Sequence, residues 1–331
     1  MKKTTMKDIA ERVGVSKTTV SMVLNKKNIN VSEDTRNKIL QTAKEMHYIP
    51  NFAAKSLSTN KSETIGIIVP DIENPFFSEV ARAIEDSANK YSYNVILCNS
   101  DNDIIKEKKY VQLLISKQVD GVIFISGGES TKSIEKLDAN SIPYVLVDRH
   151  IKYSKIKCGV YCSNKVGIEE GLKYLFNKDR KKIAFVSGPQ NLENAISRLE
   201  TYKNVMKENG IFNEEYIFES EFSIEGGRKI TEKILSSGLD IDAIFYSNDA
   251  MAAGGIKTLI RSGFKIPENI SVIGYDNIKF AEILEPELTT VAQPIYKMGQ
   301  YSCELLIKII EGEEVPEEVV LESYLVVRGS A

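Results

Sequence analysis

Ten residues of the sequence together supply aromatic rings and carboxylate, guanidinium and amide groups. They lie after predicted strands or in predicted helices. Aromatic rings pack against the apolar faces of a small sugar, while carboxylates, guanidinium groups and amides hydrogen-bond its hydroxyls. Parallel α/β folds bind ligands at the carboxyl ends of their strands. The set therefore predicts a sugar-binding cleft formed by Asn74, Phe76, Phe77, Asp148, Arg149, Arg198, Phe222, Asn248, Asp276 and Gln293.

Two subsets of these residues also fit other roles. Phenylalanine is commonly buried in cores, so the three Phe residues are compatible with packing alone. Asp148 and Arg149 are compatible with a structural ion pair at the end of a strand. Phe76 and Phe222 are also suited to stacking on a purine, although the Asp148-Arg149 pair favours a ligand that carries hydroxyls.

Residues 1–49 predict an all-α helix-turn-helix domain. Apolar residues recur at helical spacing from Met6 to Val13, Gly14 interrupts the pattern, and Ser16 is a suitable N-cap for a second helix that reaches about Leu24. Two short helices joined by a tight glycine turn are typical of a helix-turn-helix. A third helix begins at Ser32, ends near Tyr48 and is expected to pack under the other two through Ile39, Leu40, Ala43 and Met46.

The distribution of charged residues also separates the N-terminal segment from the rest of the chain. Residues 1–61 carry twelve Lys and Arg against five Asp and Glu, a net charge of +7, which leaves −10 for the remainder. A basic segment joined to an acidic body indicates that one end binds polyanionic phosphate. A solvated basic face is the alternative that charge alone leaves open.

Residues 50–63 predict a hinge helix and linker, because a helix-capable stretch of about two turns is marginal in water unless something packs on it. Residues 64–331 alternate apolar runs with amphipathic helices, which predicts an α/β body of two doubly wound parallel-sheet lobes. We place the N-lobe at about 64–161 and 294–321, and the C-lobe at about 162–291 and 323–331. The predicted strands are Thr64–Val69, Asn94–Cys98, Gly121–Ile125, Tyr144–Val147, Ile183–Ser187, Ala243–Tyr246 and Ser271–Gly274. The helices predicted between them lie near residues 78–91, 106–117, 166–176, 192–209, 225–236 and 250–262.

Composition argues against several classes of protein. No stretch approaches the roughly 20 apolar residues of a membrane span, and the basic start lacks an apolar signal region, so a cytoplasmic protein is expected. The four cysteines are expected to be reduced, and two histidines offer little for a metal site or general base. Nucleotide-binding glycine motifs are also absent from the sequence. We therefore expect no enzyme activity, cofactor or metal.

Several segments together carry a resemblance that extends over essentially the whole chain. They are Thr5–Ser21 with Val23-Leu24-Asn25, the hinge stretch Asn51–Leu57, Asn74-Pro75-Phe76-Phe77, Asp120-Gly121-Val122-Ile123, Asp148-Arg149, Ser247-Asn248-Asp249, Gly274-Tyr275-Asp276 and Thr289-Thr290-Val291. In this order they resemble the lactose/galactose repressor family. The resemblance implies a bilobal body like that of periplasmic binding proteins, behind a DNA-binding head.

The resemblance also implies roles for the DNA-binding residues. Lys17, Thr18 and Met22 are the expected contacts to base edges in the major groove, although Met22 replaces the arginine common in the family. Lys55 and Leu57 are the expected hinge contacts, with Leu57 inserting between base pairs in the minor groove. The expected phosphate contacts are Thr5, Ser16, Thr19, Ser21 and Asn25.

For the body, the resemblance implies a homodimer on a palindromic operator, controlled by a small effector. The ten cleft residues match the pattern that ribose-binding proteins of this bilobal fold place around a pyranose, so a ribose-like pentose is the expected effector. Two alternatives within the family stay open: a carbon-catabolite regulator controlled by a phosphorylated carrier protein, and a purine-responsive repressor. Ser163 replaces the aspartate that is common in the family before Asn164.

Overall fold

The computed structural model describes residues 4–25, 28–49, 61–125, 130–151 and 158–331. The chain divides into two units, Met1–Ser62 and Glu63–Ala331. Within the described ranges, no helix is both long enough and apolar enough to span a membrane.

In the first unit, the described residues form α1 (Met6–Val13), α2 (Lys17–Leu24) and α3 (Glu33–Glu45), which pack on one another around a small apolar core. The core consists of Ile9, Ala10, Val20, Val23, Ile39 and Ala43. Thr5 and Asp8 form a capping box at the start of α1, and Gly14 ends it at φ 78°, a conformation that favours glycine. The prediction that Leu40 packs into this core is wrong. Its side chain is 47% exposed, whereas Ile39 and Ala43 are buried and Met46 packs partly buried against them.

The second unit begins with the N-lobe, whose described strands form a parallel sheet in the order β11-β5-β4-β3-β1-β2. Its central strands are continuous apolar runs because helices cover both faces of the sheet. The strands are β1 (Thr64–Val69), β2 (Asn94–Asn99), β3 (Gly121–Ile125), β4 (Tyr144–Val147), β5 (Gly159–Ser163) and β11 (Glu318–Glu322). The covering helices are α4 (Pro75–Lys90), α5 (Ile104–Ser116), α6 (Thr131–Ala139) and α11 (Ile295–Glu311).

The C-lobe repeats the plan with the strand order β12-β10-β9-β8-β6-β7, in which only the β10–β12 pair is antiparallel. Its strands are β6 (Ile183–Ser187), β7 (Ile217–Glu219), β8 (Ala243–Tyr246), β9 (Ser271–Asp276), β10 (Thr289–Ala292) and β12 (Tyr324–Val326). Its helices are α7 (Lys165–Asn177), α8 (Glu193–Glu208), α9 (Ile224–Ser236) and α10 (Asp249–Arg261). Short 3₁₀ turns lie at Glu214–Tyr216 and Lys279–Glu282.

Within residues 158–331, the chain passes between the two sheets three times: from β5 to α7, from β10 to α11 and from β11 to β12. As a result α11, although late in the sequence, packs on α4 in the N-lobe. The predicted fold class of two doubly wound lobes is confirmed. The sequence patterns missed α6 and α11, and they also missed β5, β7, β10, β11 and β12. They further placed the start of α4 at Ser78, whereas Asn74 caps the helix and Pro75 takes its first turn.

Candidate functional site

A cavity between the two lobes is lined by all ten predicted cleft residues. Eleven of the described residues surround it, and the additional one is Asn194. Its volume is only about 10 Å³, which is space for about one water molecule. The structure thus brings the predicted side chains together at the facing ends of the two sheets, and their contact with a ligand stays a prediction.

Residues from two loops of the N-lobe form one side of the cavity. Asn74 caps α4 by accepting a hydrogen bond from the Phe76 backbone amide at 3.1 Å, and this cap presents the Phe76 and Phe77 rings edge to face at 5.1 Å. Directly after β4, Asp148 adopts φ 71°, an uncommon conformation outside glycine that tends to occur at functional sites. The Arg149 guanidinium lies 5.5 Å from the centre of the Phe77 ring.

Arg198 organises the C-lobe side of the cavity. It projects from α8, donates to the Ser247 carbonyl at 2.7 Å and stacks 3.7 Å above the Tyr275 ring. Its Nη2 lies 3.8 Å from Oδ1 of Asp276, and that same oxygen accepts a 2.8 Å hydrogen bond from Gln293. Because these groups are buried, their mutual contacts hold them in position before any ligand arrives.

Asn248 and Phe222 complete the C-lobe side. Asn248 caps α10 by accepting from the Met251 amide at 2.9 Å. The half-buried Phe222 ring packs on Gly188, where a Cβ would approach the ring carbon Cζ to 2.1 Å. Glycine at position 188 therefore allows the tip of the ring to lie against the loop after β6.

Formal charge balances among the ionisable side chains that line the cavity. Asp148 and Asp276 face Arg149 and Arg198, and all four are buried. Burial raises the pKa of Asp276 to about 7 and raises the pKa of Asp148 in the same direction, because a low-dielectric site disfavours the charged carboxylate. The cavity thus offers two carboxyl groups and two guanidinium groups to the hydroxyls of a polar ligand.

A larger cavity of about 300 Å³ adjoins this site and shares Asn74, Phe77, Arg149 and Phe222 with it. Small-molecule sites commonly begin at about this volume. On the other side of Arg149, a cavity of about 910 Å³ extends between α5 and α8. A small ligand would therefore reach the buried polar groups past the Phe77 and Phe222 rings.

Asn194 is the lining residue that sequence reasoning missed. Its side chain is 5% exposed, and among the described residues none donates a hydrogen bond to its Oδ1 atom. Asp148 Oδ2 likewise receives no hydrogen bond there, although Arg149 Nε lies 3.4 Å away. The spacing to Arg198 was an available signal, because residues four apart share one face of a helix.

Asp249 does not line the cavity, but it holds the turn next to the cavity residue Asp276. This buried carboxylate accepts from the Ile278 amide at 2.9 Å and from the Thr290 hydroxyl at 2.5 Å. Burial raises its pKa well above the ordinary range. The contacts hold the turn that follows β9, and that turn positions Asp276 in the cavity at φ 111°.

The predicted DNA-contacting residues of the first unit lie on and around α2. Lys17 and Thr18 are exposed in its first turn, and Met22 is half-buried. Three of the predicted phosphate contacts already take part in local capping: Thr5 with Asp8, and Ser16 with Thr19. Asn25 ends the helix and donates to the Ser21 carbonyl at 2.8 Å. The predicted hinge contacts Lys55 and Leu57 lie outside the described residues.

Comparison with known families gives two matches that together cover most of the chain. Residues 5–51 match the model of bacterial regulatory proteins of the lacI family. Residues 62–328 match the model of periplasmic binding proteins and the sugar-binding domain of the LacI family. The second match alone covers well over half of the chain.

Full-length relatives agree with these matches. The chain is 40% identical to a ribose operon repressor from Halalkalibacterium halodurans over 96% of both proteins. It is 36% identical to catabolite control protein A from Priestia megaterium, covering 96% of this chain and 95% of that protein.

Solved structures show the same architecture. The lac repressor dimer bound to operator and an anti-inducer matches with a TM-score of 0.89 at 27% identity, over 99% of each chain. A LacI family regulator from Enterococcus faecium with bound ribose matches with a TM-score of 0.73 at 34% identity, over 81% of this chain and 98% of that one. The family predicted from the sequence motifs is thereby confirmed: this chain is a member of the LacI family of transcriptional regulators.

Proposed function

We propose that this protein is a repressor whose affinity for operator DNA is controlled by a ribose-like pentose bound between the lobes. The observation that carries the proposal is the convergence of ten residues, selected for sugar chemistry, on one buried cavity. Three aromatic rings and a charge-balanced set of hydrogen-bonding groups meet there. A protein that acts on DNA in this way works in the cytoplasm.

The polar groups of the cavity favour a neutral ligand rich in hydroxyls. Asp148 Oδ2 and Asn194 Oδ1 are buried acceptors that receive no hydrogen bond from the described residues, so the matching ligand supplies donors. A sugar hydroxyl can donate to such an oxygen and accept from Arg149 or Arg198. A phosphorylated sugar would bring two negative charges beside the carboxyl groups of Asp148 and Asp276.

The relatives support the choice of ribose over other sugars. One full-length relative is named a ribose operon repressor, and one solved relative of the body contains ribose. Both are more similar to this chain in sequence than the lac repressor is, at 40% and 34% against 27% identity.

On DNA, we propose that α2 enters the major groove with Lys17, Thr18 and Met22 toward the base edges. Thr5, Ser16, Thr19, Ser21 and Asn25 would contact phosphates, where backbone amides and hydroxyls fix the register of the protein. Lys55 and Leu57 belong to this surface on sequence grounds. The net charge of +7 over residues 1–61 favours such a complex.

We further propose that the body forms a homodimer through apolar surface in both lobes. Leu97 is 48% exposed on the edge strand β2, and Ile283 is 72% exposed beyond the 3₁₀ turn of the C-lobe. Exposed apolar side chains and an open strand edge are typical of surfaces that are buried by association. Two copies related by a two-fold axis would match the two half-sites of a palindromic operator.

The leading alternative is a carbon-catabolite regulator whose operator affinity depends on a phosphorylated carrier protein, and the similarity to catabolite control protein A favours it. A purine-responsive repressor is a further alternative, in which Phe76 and Phe222 would stack on the base. The Asp148-Arg149 pair and the unsatisfied acceptors of the cavity favour hydroxyls over a purine. The higher identity to the ribose operon repressor, 40% against 36%, favours the pentose over control by a carrier protein.

Calorimetric titration with D-ribose, xylose, glucose and hypoxanthine tests the proposal. We expect saturable binding of ribose, and a loss of at least 100-fold in affinity for Arg149→Ala, because truncating one partner of a buried charged pair costs several kcal/mol. Operator binding, measured by fluorescence anisotropy, should be retained in this variant and should weaken with ribose only in the wild type.

Each alternative has its own result in these assays. Saturable heat with hypoxanthine and none with ribose would assign the cleft to purines. Absence of heat with every ligand, together with operator binding that strengthens when a phosphorylated carrier protein is added, would assign the protein to catabolite control.

A further inference from the structure

The crossovers between the two lobes are hydrogen-bonded to side chains of the effector cleft. At the first crossover, Asn164 Oδ1 accepts from Arg198 Nε at 2.9 Å and from the Tyr275 hydroxyl at 2.7 Å. At the second, Gln293 donates to Asp276 at 2.8 Å. Arg198 and Asp276 are cavity-lining residues, so movement of either side chain changes the contacts of a crossover.

Asn164 occupies the N-cap position of α7 but does not cap the helix with its side chain. Asparagine is among the most favourable N-cap residues, and an unused cap costs stability. The side-chain oxygen instead receives the two hydrogen bonds from Arg198 and Tyr275. The Asn164 side chain is thus oriented toward the cleft and leaves the capping of α7 to another residue.

Ser323, in the third crossover, supplies the missing cap. Its hydroxyl accepts from the Gly167 amide of α7 at 3.2 Å and donates to the Ser163 carbonyl at 2.7 Å. These two bonds join the first and third crossovers. Ser163 and Gly167 lie on either side of Asn164. A displacement of the backbone at Asn164 therefore also changes the contacts of Ser323 in the third crossover.

We propose that Asn164 is a positioning residue that couples the effector cleft to the crossovers between the lobes. The Nε atom of Arg198 donates to Asn164 at the first crossover. Its Nη2 atom points into the cleft and lies 3.8 Å from Asp276. An effector that hydrogen-bonds Arg198 and Asp276 reorients the guanidinium, and Asn164 carries that change into the crossovers. The inference rests on the proposed function, since it requires an effector in the cleft.

The test compares Asn164→Ala, which removes the acceptor, with Asn164→Asp, which keeps an acceptor oxygen at the same place. Asn140→Ala is the matched control. Among the described residues, the side-chain amide of Asn140 donates to its own helix, at 2.8 Å to the Lys136 carbonyl. Ribose affinity is measured by calorimetry and operator affinity by anisotropy, with and without saturating ribose. The ratio of the two operator affinities gives the coupling, typically about 5- to 150-fold in allosteric proteins.

We expect Asn164→Ala to reduce this ratio at least fivefold while ribose affinity stays within about tenfold of the wild type. Asn164→Asp and Asn140→Ala should keep the ratio within about twofold. A wild-type ratio in Asn164→Ala overturns the proposal. So does a parallel loss of ribose binding, operator binding and melting temperature, which indicates a merely structural role.

The wild type distinguishes this inference from the proposed function. If it does not bind ribose, the proposed function fails, and the same ratio is measured with whichever ligand of the panel binds. If the wild type binds ribose without any change in operator affinity, the coupling proposal fails alone. If no ligand of the panel binds, both are overturned.

Discussion

Replacement of Asn194 by alanine should separate the stability of the unliganded protein from its affinity for the effector. The Oδ1 atom is buried in the cavity and receives no hydrogen bond from the described residues, so truncation removes no bond to this oxygen. An unsatisfied buried acceptor costs about 1–3 kcal/mol. We therefore expect the free energy of unfolding of Asn194→Ala to be unchanged or higher.

The same substitution should weaken ribose binding. One hydrogen bond contributes about 0.5–1.5 kcal/mol, and each 1.4 kcal/mol is tenfold, so affinity should fall by roughly 2- to 12-fold. Calorimetry gives the affinity, and thermal unfolding with and without ribose gives the stability. Asn209→Ala is the matched control at the far end of α8, where the side chain bonds the Val205 carbonyl at 2.8 Å.

The opposite pattern would contradict this role for Asn194. If Asn194→Ala lowers the melting temperature of the unliganded protein by more than about 5 °C and binds ribose as the wild type does, then the side chain has a structural role. Equal effects of Asn194→Ala and Asn209→Ala on affinity would likewise show that the loss does not arise in the cavity.

Four further predictions concern the cleft and the DNA-binding unit. Burial raises the pKa of Asp276 from 3.8 to about 7, so calorimetric ribose affinity should fall below pH 7 as the carboxylate is protonated, by up to about tenfold per pH unit, and Asp276→Asn should abolish this dependence. The native carboxyl also retains a proton that the unfolded chain has released, so its contribution to the free energy of unfolding decreases as pH rises from 3.8 to about 7. Gly188→Ala should displace the Phe222 ring and cost about 1–3 kcal/mol of ribose binding, seen as a lower affinity with operator binding unchanged. Lys17→Ala should weaken operator binding and, if the lysine contacts base edges alone, leave the slope of affinity against salt unchanged; a slope reduced by about one would reassign Lys17 to a phosphate.

Much of the fold follows from local patterns. The bounds of β1, β3, β4, β6 and β8 agree with their predictions residue for residue, because a strand buried on both faces is a continuous apolar run between turns. The helix-turn-helix is likewise specified by caps and spacing within 49 residues. Leu40 departs from its prediction because helical periodicity defines an apolar face but not how far the neighbouring helices cover it.

The strands at the end of the chain were not predictable in this way. In β11, residues alternate between partial burial and exposure at the sheet edge, and the strand exists because it pairs with β5, more than 150 residues earlier. The same non-local packing places α11 in the N-lobe. Such pairings depend on the whole topology, which no window of sequence contains.

Residue types and their order along the chain are enough to predict the family, the division of charge between a basic head and an acidic body, and the ten polar and aromatic residues that meet in the cleft. These are set by residue type and by position at strand ends, which alternation along the chain makes visible. The unsatisfied acceptor of Asn194, and the turning of the Asn164 side chain away from its own helix, emerge only from the three-dimensional fold. Hydrogen-bond satisfaction depends on which groups lie within about 3 Å in space, and folding alone brings those groups together.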